Sequence, residues 1–428
     1  ALENNYNHTD AKQVYGKVQL DVMPIKNLTM SYRMGFDYTD LDTKTGTPEI
    51  ALDDALINED YGYAPSNMNQ SGAVYVGYSR RYEINHDFLA SYSEKFIDNK
   101  LELDINAGVN INERAATSMS GEATGLTFHT GFWDLSNGAT WSTLAEAQSK
   151  RRLVGAFGDL TLGWDNMIYL NMTARRDWSS TLPIDNNSYF YPGATLSWIF
   201  SNLIPENKML TFGKIRLAYG KTGNDASAYM IHPRFVQGYA NGTYGSDIAL
   251  FPMNSVNAFQ SASTMGSTTL KPEMTSEFET GLNMQFFNGR FGIDFAYYNR
   301  TTSDQIFTLP VDPSTGYSSM VTNFGQVNNN GIELVINTTP IQTRNFRWDL
   351  DFNFSKNNNK VISLPESLEG GKVAIYGFEA GTDVVYMYAE KGKPMGQFYT
   401  YLPERTEDGS LIVDEYGLPI LSTEIKDT

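Results

Sequence analysis

The segment from Leu101 to Asn112 alternates between apolar and polar residues at every step. It reads LELDINAGVNIN, with apolar side chains at the odd positions and polar side chains or glycine at the even positions. Side chains of a β-strand point alternately to the two faces of a sheet, so this period of two predicts a strand with an apolar medium on one face and water on the other. The same pattern recurs over 28–38 and 346–355, which indicates that much of the chain is built from two-faced strands.

Composition excludes several classes of protein. No stretch approaches the roughly 20 consecutive apolar residues of a transmembrane helix, so a helical membrane protein is excluded. The formal net charge of −17 repels phosphate backbones and makes nucleic acid an unfavourable partner. The absence of cysteine excludes a disulfide scaffold and thiolate metal sites. Residues 1–19 lack the apolar core of a signal peptide, and we therefore expect this start to be internal to a longer protein.

Short turns and long connections alternate along the chain. Tight joints are predicted at 23–27, 95–100, 165–167, 288–289 and 340–345. Asn288-Gly289 is typical of a tight hairpin, because both residues tolerate positive φ. The connections between the hairpins are predicted to be long near 39–72, 113–150, 222–274 and 358–393, and shorter near 179–187 and 311–325. Short turns at one end and long loops at the other are typical of an up-and-down membrane barrel.

A soluble array of β-sandwiches is the rival architecture, because its strands also alternate. The predicted strands run for about ten or more residues, which matches the roughly 9 to 11 tilted residues that cross hydrocarbon better than the five or six typical of globular strands. The polar face is acidic and rich in amides, with Glu277, Glu279 and Asn283 set opposite Phe278 and Leu282. Such a face suits a water-filled lumen. We therefore predict an all-β fold, a transmembrane up-and-down antiparallel β-barrel.

One long run then carries a family resemblance. The segment from Leu270 to Phe307, LKPEMTSEFETGLNMQFFNGRFGIDFAYYNRTTSDQIF, resembles the barrel of SusC/RagA-type TonB-dependent transporters of the outer membrane of Bacteroidetes-like bacteria. Further segments resemble the same family in its usual order: 170–180, 215–224, 317–337, 346–361 and 392–401. The resemblance covers about 150–420 by motif, and the earlier part agrees in pattern.

The resemblance implies an active importer of nutrient oligomers, either glycan or peptide. Family members have a barrel of about 22 strands that encloses an N-terminal plug. They work with a SusD-like surface lipoprotein and with the TonB complex, and a dimer of transporter–lipoprotein pairs is one implied assembly. Because about a dozen strands and no plug sequence are recognisable here, we expect 1–428 to be the central segment of the barrel, embedded in the lipid bilayer of the bacterial outer membrane.

Two short motifs within this resemblance suggest structural roles. Pro272 precedes a predicted strand, where proline loses no hydrogen bond of the ladder. Asn328 to Gly331 supplies residues that tolerate a bulge, and we expect the strand to bulge there as it re-enters the membrane.

Catalytic and metal-binding signals are nearly absent. His8, His86, His129 and His232 are scattered, and none is spaced to place two ligands on one helical face. No nucleophile elbow, phosphate-binding loop or dinucleotide fingerprint occurs. The acidic pairs at 53–54 and 59–60 lie in a predicted polar loop, where a solvated face is the simplest interpretation. We therefore predict no catalytic, cofactor or metal site, and no enzyme.

Aromatic residues in the long loops are the candidate binding residues. They lie among Gly, Ser, Asn and Asp, and the set is Tyr61, Tyr63, Phe132, Trp133, Trp141, Tyr239, Tyr244 and Phe251. Aromatic faces stack on sugars and peptide side chains and also anchor protein partners. Three interpretations stay open: packing of the loops, an interface with the lipoprotein, and contact with substrate. The acidic balance disfavours a strongly anionic cargo.

Other function classes fit the same alternation. A passive porin or adhesin barrel would have no plug upstream, an outer-membrane barrel enzyme would need a catalytic constellation, and a secreted carbohydrate-binding β-protein would be soluble without detergent.

Overall fold

A computed structural model shows an all-β chain. The structure describes residues 5–50, 70–128, 131–205, 209–237, 239–241, 247–250, 256–365, 371–380 and 383–427. The helices within these ranges are short 3-10 turns at Leu135–Asn137, Ile184–Asn186, Phe200–Leu203 and Pro313–Thr315. Among the described residues, no helix has the length and apolar character needed to cross a membrane.

Twelve long strands carry the fold. Those before the longest connection are β1 (Tyr6–Ile25), β2 (Leu28–Ile50), β3 (Gln70–Phe96), β4 (Leu101–Leu126), β5 (Gly138–Trp164), β6 (Ile168–Ser179), β7 (Ser188–Trp198) and β8 (Leu210–Asn224). Short strands follow as β9 (Phe235–Gln237), β10 (Tyr239–Asn241), β11 (Asp247–Leu250), β12 (Phe259–Ser261) and β13 (Thr264–Met265). The later strands are β14 (Glu273–Phe286), β15 (Phe291–Pro310), β16 (Ser319–Gln342), β17 (Arg347–Ser363), β18 (Lys372–Ala380), β19 (Asp383–Glu390), β20 (Gln397–Pro403) and β21 (Leu421–Asp427).

The strands belong to two compact units, the first made of 1–90 and 108–155 and the second of 91–107 and 156–428. Strands β3, β4 and β5 contribute residues to both. In the first unit the strand order is β1-β2-β3-β4-β5, and β1 pairs antiparallel with β2. In the second unit β5-β6-β7-β8-β14-β15-β16 are neighbours in that order, and β17 pairs with β16. Neighbouring strands are thus consecutive long strands, which is the up-and-down topology that the sequence predicted.

Short turns close one end of five hairpins, as predicted, whereas β7 and β8 are joined at that end by the longer connection 199–209, which contains the 3-10 turn Phe200–Leu203. The five short connections are 26–27, 97–100, 165–167, 287–290 and 343–346. The Asn288-Gly289 turn is longer than the expected two residues, because Phe286 and Phe291 form the last strand pair and their rings contact at 6.0 Å. Positive φ therefore begins one residue earlier, at Phe287.

Several strands continue into predicted loops. Strand β2 extends to Ile50, β4 extends to Leu126, β5 begins at Gly138 and β17 extends to Ser363, so the loop bounds expected at 39–72, 113–150 and 358–393 were wrong at these ends. The alternation fades there because both faces of the sheet meet polar surroundings, whereas the backbone ladder continues without it. The assignment of the whole chain to one barrel segment stays a prediction.

The register shift of β16 lies near, but not at, the motif 328–331 where a bulge was predicted. Pro272 immediately precedes β14, as expected. Residues 328–331 pair regularly with both neighbouring strands, so the predicted bulge there was wrong. The register of β16 on β17 instead shifts at Gln326, next to Gly325, whose φ is +26°. A Cβ at Gly325 would lie 1.8 Å from the Ser363 carbonyl oxygen, and the absence of a side chain permits this close approach.

One row of paired residues shows the apolar face of the second unit. The row runs across seven strands and every member is apolar: Ile168, Trp198, Ile215, Leu282, Phe295, Leu334 and Phe354. These side chains do not converge on a dry centre. Trp198, Leu350 and Phe352 on this face are 38%, 49% and 51% exposed. We call this face the apolar band.

The apolar band drifts along the strands in a regular way. We call the row from Ile168 to Phe354 the common row. On β6 the upper end of the band is Trp178, ten residues beyond the common row, and on β17 it is Phe354, in the common row itself. We mark the upper end on the seven strands at Trp178, Phe190, Tyr219, Phe278, Tyr297, Ile332 and Phe354, and Met274 and Ile362 are single apolar residues beyond it on β14 and β17. The fall of ten residues over six steps is about 1.7 residues, or roughly 5.5 Å, per strand. Strands tilted by roughly 45° across a flat lipid layer produce this drift, whereas a sandwich core does not require it.

A separate four-stranded sheet of β18–β21 follows β17. Val373 and Ala389 pack it against Leu309, Phe324 and Val361, at the ends of the strands remote from the short turns. It lies outside the apolar band. Buried Tyr399 donates a hydrogen bond to Glu390, and Lys393 Nζ lies 3.1 Å from Glu390 Oε2. Both contacts favour the carboxylate, and they lower the pKa of Glu390 below its ordinary value.

The first prediction concerns the apolar band. Leu350→Lys places a charge near the middle of the band on β17, and we expect it to cost about 2 to 4 kcal/mol of folding free energy in lipid. The neighbouring Asn353→Lys points to the opposite face and should change this free energy by less than about 1 kcal/mol. Denaturant titration of the full-length protein in lipid vesicles measures both. Equal losses from the two variants would contradict a lipid-facing band.

The second prediction concerns Glu390. Because its pKa is lowered in the folded sheet, the carboxylate stabilises the sheet above the unfolded pKa, and this stabilisation is lost as the pH falls through the folded pKa. The protection factors for amide hydrogen exchange in β18–β21, which are corrected for the intrinsic exchange rate at each pH, should therefore fall more in the parent protein than in Glu390→Gln when the pH falls from about 7 to about 3. An identical pH response in both proteins would count against the Tyr399–Glu390 contact.

Candidate functional site

The side of the second unit opposite the apolar band is polar. One row of paired residues on this side reads Asn171, Thr195, Ala218, Glu279, Tyr298, Gly331 and Asn357. We call the surface formed by these rows on β6–β8 and β14–β17 the inner wall. The alternation of Glu277 and Glu279 with Phe278 predicted this sorting, and the antiparallel register aligns the polar residues of seven strands into one face.

Charges on the inner wall are paired across strands. Arg216 on β8 lies between two acids, with Nε 3.1 Å from Glu279 Oε1 and Nη1 2.9 Å from Asp294 Oδ1. Asn283 donates to the other oxygen of Asp294 at 2.7 Å. Arg300 on β15 pairs with Glu277 on β14. These contacts neutralise most of the formal charge on this part of the wall and leave hydroxyl and amide groups as the remaining hydrogen-bonding surface.

Small residues create a concave region of about 730 Å³ in the inner wall. Gly193, Ala218 and Gly220 lie beside Thr and Asn side chains, and Glu277 and Arg300 line another part of the region. An adjoining hollow of about 390 Å³ includes Tyr298, Asn329, Glu333 and Asn357. A Cβ at Gly220 would have no atom within 4 Å, so a side chain there would project into free space. The region can therefore hold a polar ligand against several strands at once.

A buried acid orders the wall near its loop end. Asp177 on β6 is 3% exposed. Arg175 Nη2 lies 2.8 Å from Asp177 Oδ1, and Tyr191 on β7 donates a hydrogen bond to Asp177 Oδ2. Arg175 also lies over the Phe157 ring at 5.5 Å. The motif at 170–180 therefore contributes a fixed strand-to-strand contact, which holds the Arg175 guanidinium at the edge of the wall.

The structure describes the side chains of three of the eight predicted loop aromatics. Trp133 is half-buried in the first unit, stacks on Tyr6 with ring centroids 6.2 Å apart, and covers Gly46. Phe132 is exposed and meets Phe128 edge-on, while Trp141 on β5 is 64% exposed. Tyr239 belongs to β10, and its side chain is not described. Tyr61, Tyr63, Tyr244 and Phe251 lie outside the described residues. The structure therefore does not bring the set together, and their binding role stays a prediction.

Backbone contacts fix the loop that carries Trp133. Buried Asn137 accepts a hydrogen bond from Phe128 N and donates to the carbonyl oxygens of Phe128 and Phe132. Asp134 caps the adjacent 3-10 turn, and bonds from the hydroxyl and the backbone N–H of Ser136 lower the pKa of Asp134. This geometry supports the packing interpretation for Trp133.

The histidines and acidic pairs provide no metal centre among the described residues. His8 stacks on Tyr6, His86 Nδ1 lies 2.9 Å from the Tyr32 hydroxyl, and His232 lies between β8 and β9. His129 and the acidic pairs at 53–54 and 59–60 lie outside the described residues.

Sequence reasoning missed the ion-paired residues of the inner wall. Arg216 and Asp294 belong to ordinary alternating strands, and only the register between β8, β14 and β15 brings them to one point. The available signal was the family segment at 270–307, which contains Glu277, Glu279 and Arg300, but sequence alone does not state which residues of other strands face them.

Comparisons with known proteins agree with this architecture. A family described as "TonB dependent receptor-like, beta-barrel" matches residues 1–409. TonB-dependent receptor P3 of Formosa agariphila is 27% identical over 296 residues, which are 66% of this chain and 28% of that protein. TonB-dependent receptor SusC of Bacteroides thetaiotaomicron is 30% identical over 286 residues, 63% of this chain and 27% of that protein. The chain thus matches less than a third of the length of these relatives.

A solved structure shares the fold. The structure of the RagAB peptide transporter superposes with a TM-score of 0.74 at 22% identity, and the match covers 95% of this chain and 42% of the solved chain.

The third prediction tests the ion pairs of the inner wall. Gly281→Ala would place a Cβ 2.4 Å from Arg216 Nε and displace the guanidinium from Glu279 and Asp294, at a cost of about 1 to 2 kcal/mol in unfolding free energy. Gly220→Ala is the matched control, because its Cβ has free space. Equal unfolding midpoints for the two variants in denaturant would contradict this packing.

Proposed function

Because this chain belongs to the TonB-dependent receptor-like β-barrel family, we propose that it forms part of the barrel of an outer-membrane importer of the SusC/RagA type. The drifting apolar band supports the membrane position, and the paired charges of the inner wall support a wet path beside it. The family is one of transporters and receptors, and we propose that the chain performs no chemistry on its cargo.

The inner wall is the observation that supports transport of a polar oligomer. Its concave region spans β6, β7, β8, β14 and β15 and is lined by threonine hydroxyls, the Asn171 amide and an ion pair. Such groups exchange hydrogen bonds with a hydrated cargo one at a time, which favours passage over tight retention. We propose that the cargo is a glycan or a peptide of several units, without a strong negative charge.

The partners follow from the proposed transporter type. We propose that a SusD-like lipoprotein covers the loop end, that the TonB complex supplies energy through a segment outside this chain, and that two such pairs can associate. The relatives named SusC and RagAB support this proposal. The exposed Trp141 and Phe132 are proposed contacts for the lipoprotein or the cargo, whereas Trp133 is assigned to packing.

Uptake in cells tests the proposed function. Cells that express the full-length protein should accumulate labelled oligomers, and deletion of TonB should abolish this accumulation. The protein should also co-purify with a lipoprotein under mild detergent. Uptake that persists without TonB would indicate a passive pore instead.

The fourth prediction locates the path of the cargo. Gly220→Gln should project a polar side chain into the concave region without meeting the wall, and we expect uptake to fall about tenfold while the folded amount stays unchanged. Gly220→Ala is the control and should retain uptake. Unchanged uptake by Gly220→Gln, with normal protein levels, would place the path away from this region.

A further inference from the structure

Near and above the upper end of the apolar band, the outward positions that the structure describes on β6–β8 and β14–β17 carry positive but no negative charge. The outward residues beyond the upper end include amides, hydroxyls, Met274, Ile362 and the cations Lys221, Lys356 and Lys360, and a fourth cation, Arg176, lies two residues below the upper end on β6. The described outward positions of these strands from the common row to the loop end contain no Asp or Glu. The acids at the same height, such as Asp177, Glu277 and Glu333, face the inner wall. This separation is unexpected in a chain with a net charge of −17.

Three of the four cations lie within two residues of the upper end of the band, and Lys360 lies six residues beyond it. Lys221 lies two residues beyond Tyr219 on β8, and Lys356 lies two residues beyond Phe354 on β17. Lys221 and Lys360 belong to one register row, joined by Ser276, Thr301 and Asn328. Arg176 lies beside Trp178, at the upper end of the band on β6. Arg176, Lys221 and Lys356 therefore lie close to the level at which the strands leave the apolar layer, and Lys360 lies farther out on β17.

These cations are available for an external anion. Within the described part of the chain, none of the four has a carboxylate oxygen within 4.0 Å. The Arg176 guanidinium lies 5.3 Å from the centroid of the Trp178 ring, and its Nη2 donates to Ser188 Oγ at 2.9 Å. Stacking and one neutral hydrogen bond orient the guanidinium and leave its other N–H groups unpaired, and such groups bind phosphate oxygens in two-point geometry.

Amide groups fill the spaces between the cations. Asn358 donates to Asn330 Oδ1 at 3.4 Å, Asn330 donates to Asn328 Oδ1 at 3.1 Å, and Asn328 donates to Asn299 Oδ1 at 2.6 Å. This chain of amides crosses β15, β16 and β17 on the outward face. The N–H groups of Asn328 are already used by Asn299 Oδ1, Arg300 O and Thr301 Oγ1, but the amide oxygens along this chain each have a second lone pair, which suits the hydroxyl groups of a sugar.

We propose that Arg176, Lys221, Lys356, Lys360 and the intervening amides form a collar that binds the phosphorylated sugar headgroup of an outer-leaflet glycolipid of the lipid A type. The cations meet the phosphates, the amides meet the sugar hydroxyls, and the acyl chains lie on the apolar band below. The collar is at the end of the band remote from the short turns, which is the outer side in barrels of this class. The inference rests on the proposed outer-membrane position.

Lipid retention by the purified full-length protein tests the collar. The protein is stripped of lipid in detergent, and defined lipid is returned: bisphosphorylated lipid A, the same lipid without phosphate, or phosphatidylethanolamine. Native mass spectrometry counts the bound lipid. We expect the parent to retain phosphorylated lipid A, and the triple variant Lys221→Gln, Lys356→Gln, Lys360→Gln to retain about tenfold less. Both proteins should bind the other two lipids weakly and equally.

A matched variant controls for the loss of charge. Lys26→Gln, Lys100→Gln, Arg344→Gln removes the same charge at exposed positions in three short turns, and it should retain lipid A like the parent. Equal retention by the parent and the collar variant, or equal retention of phosphorylated and unphosphorylated lipid A by the parent, would overturn the proposal.

Failure of the collar and failure of the membrane position give different results. If the proposed outer-membrane position is wrong, the parent fractionates as a soluble protein without detergent, whatever the collar residues are. If only the collar is wrong, the parent stays in the membrane fraction and the collar variant binds phosphorylated lipid A as the parent does.

Discussion

The backbone hydrogen bond in an apolar medium is the constraint on which the structure depends. A strand that contacts lipid has no water to satisfy its N–H and C=O groups, so each must pair with a neighbouring strand. The continuous registers from β6 to β8 and from β14 to β17 provide this pairing in the second unit. Once the register is set, the period of two assigns every side chain to one face or the other.

The two faces of the second unit then differ in their chemistry. The apolar band needs no specific partner, and its residues include Leu, Ile, Phe, Tyr and Trp. The inner wall carries charges, and it pairs Arg216 with Glu279 and Asp294, and Arg300 with Glu277. Glycines at 193 and 220 leave the wall concave where a larger side chain would fill it.

Sequence was a good guide to faces and turns and a poor guide to long-range register. The alternation at 101–112 and 346–355 and the tight joints were sufficient for the fold class, and the family resemblance was confirmed. The continuation of β2 to Ile50 and β4 to Leu126 was missed, because a strand with water on both sides has no periodic signal. The meeting of Arg216 with Asp294 was missed because it depends on the alignment of three strands that are distant in sequence.

Strand β16 has 24 residues, about twice the number needed to cross hydrocarbon. At roughly 3.3 Å per residue and a tilt near 45°, it rises by about 55 Å, of which the apolar layer accounts for about 25 Å. The remaining 30 Å of the strand extends beyond the apolar band. The surfaces at the loop end of β16 are therefore held at a distance from the band by a continuous backbone ladder and not by a flexible connection.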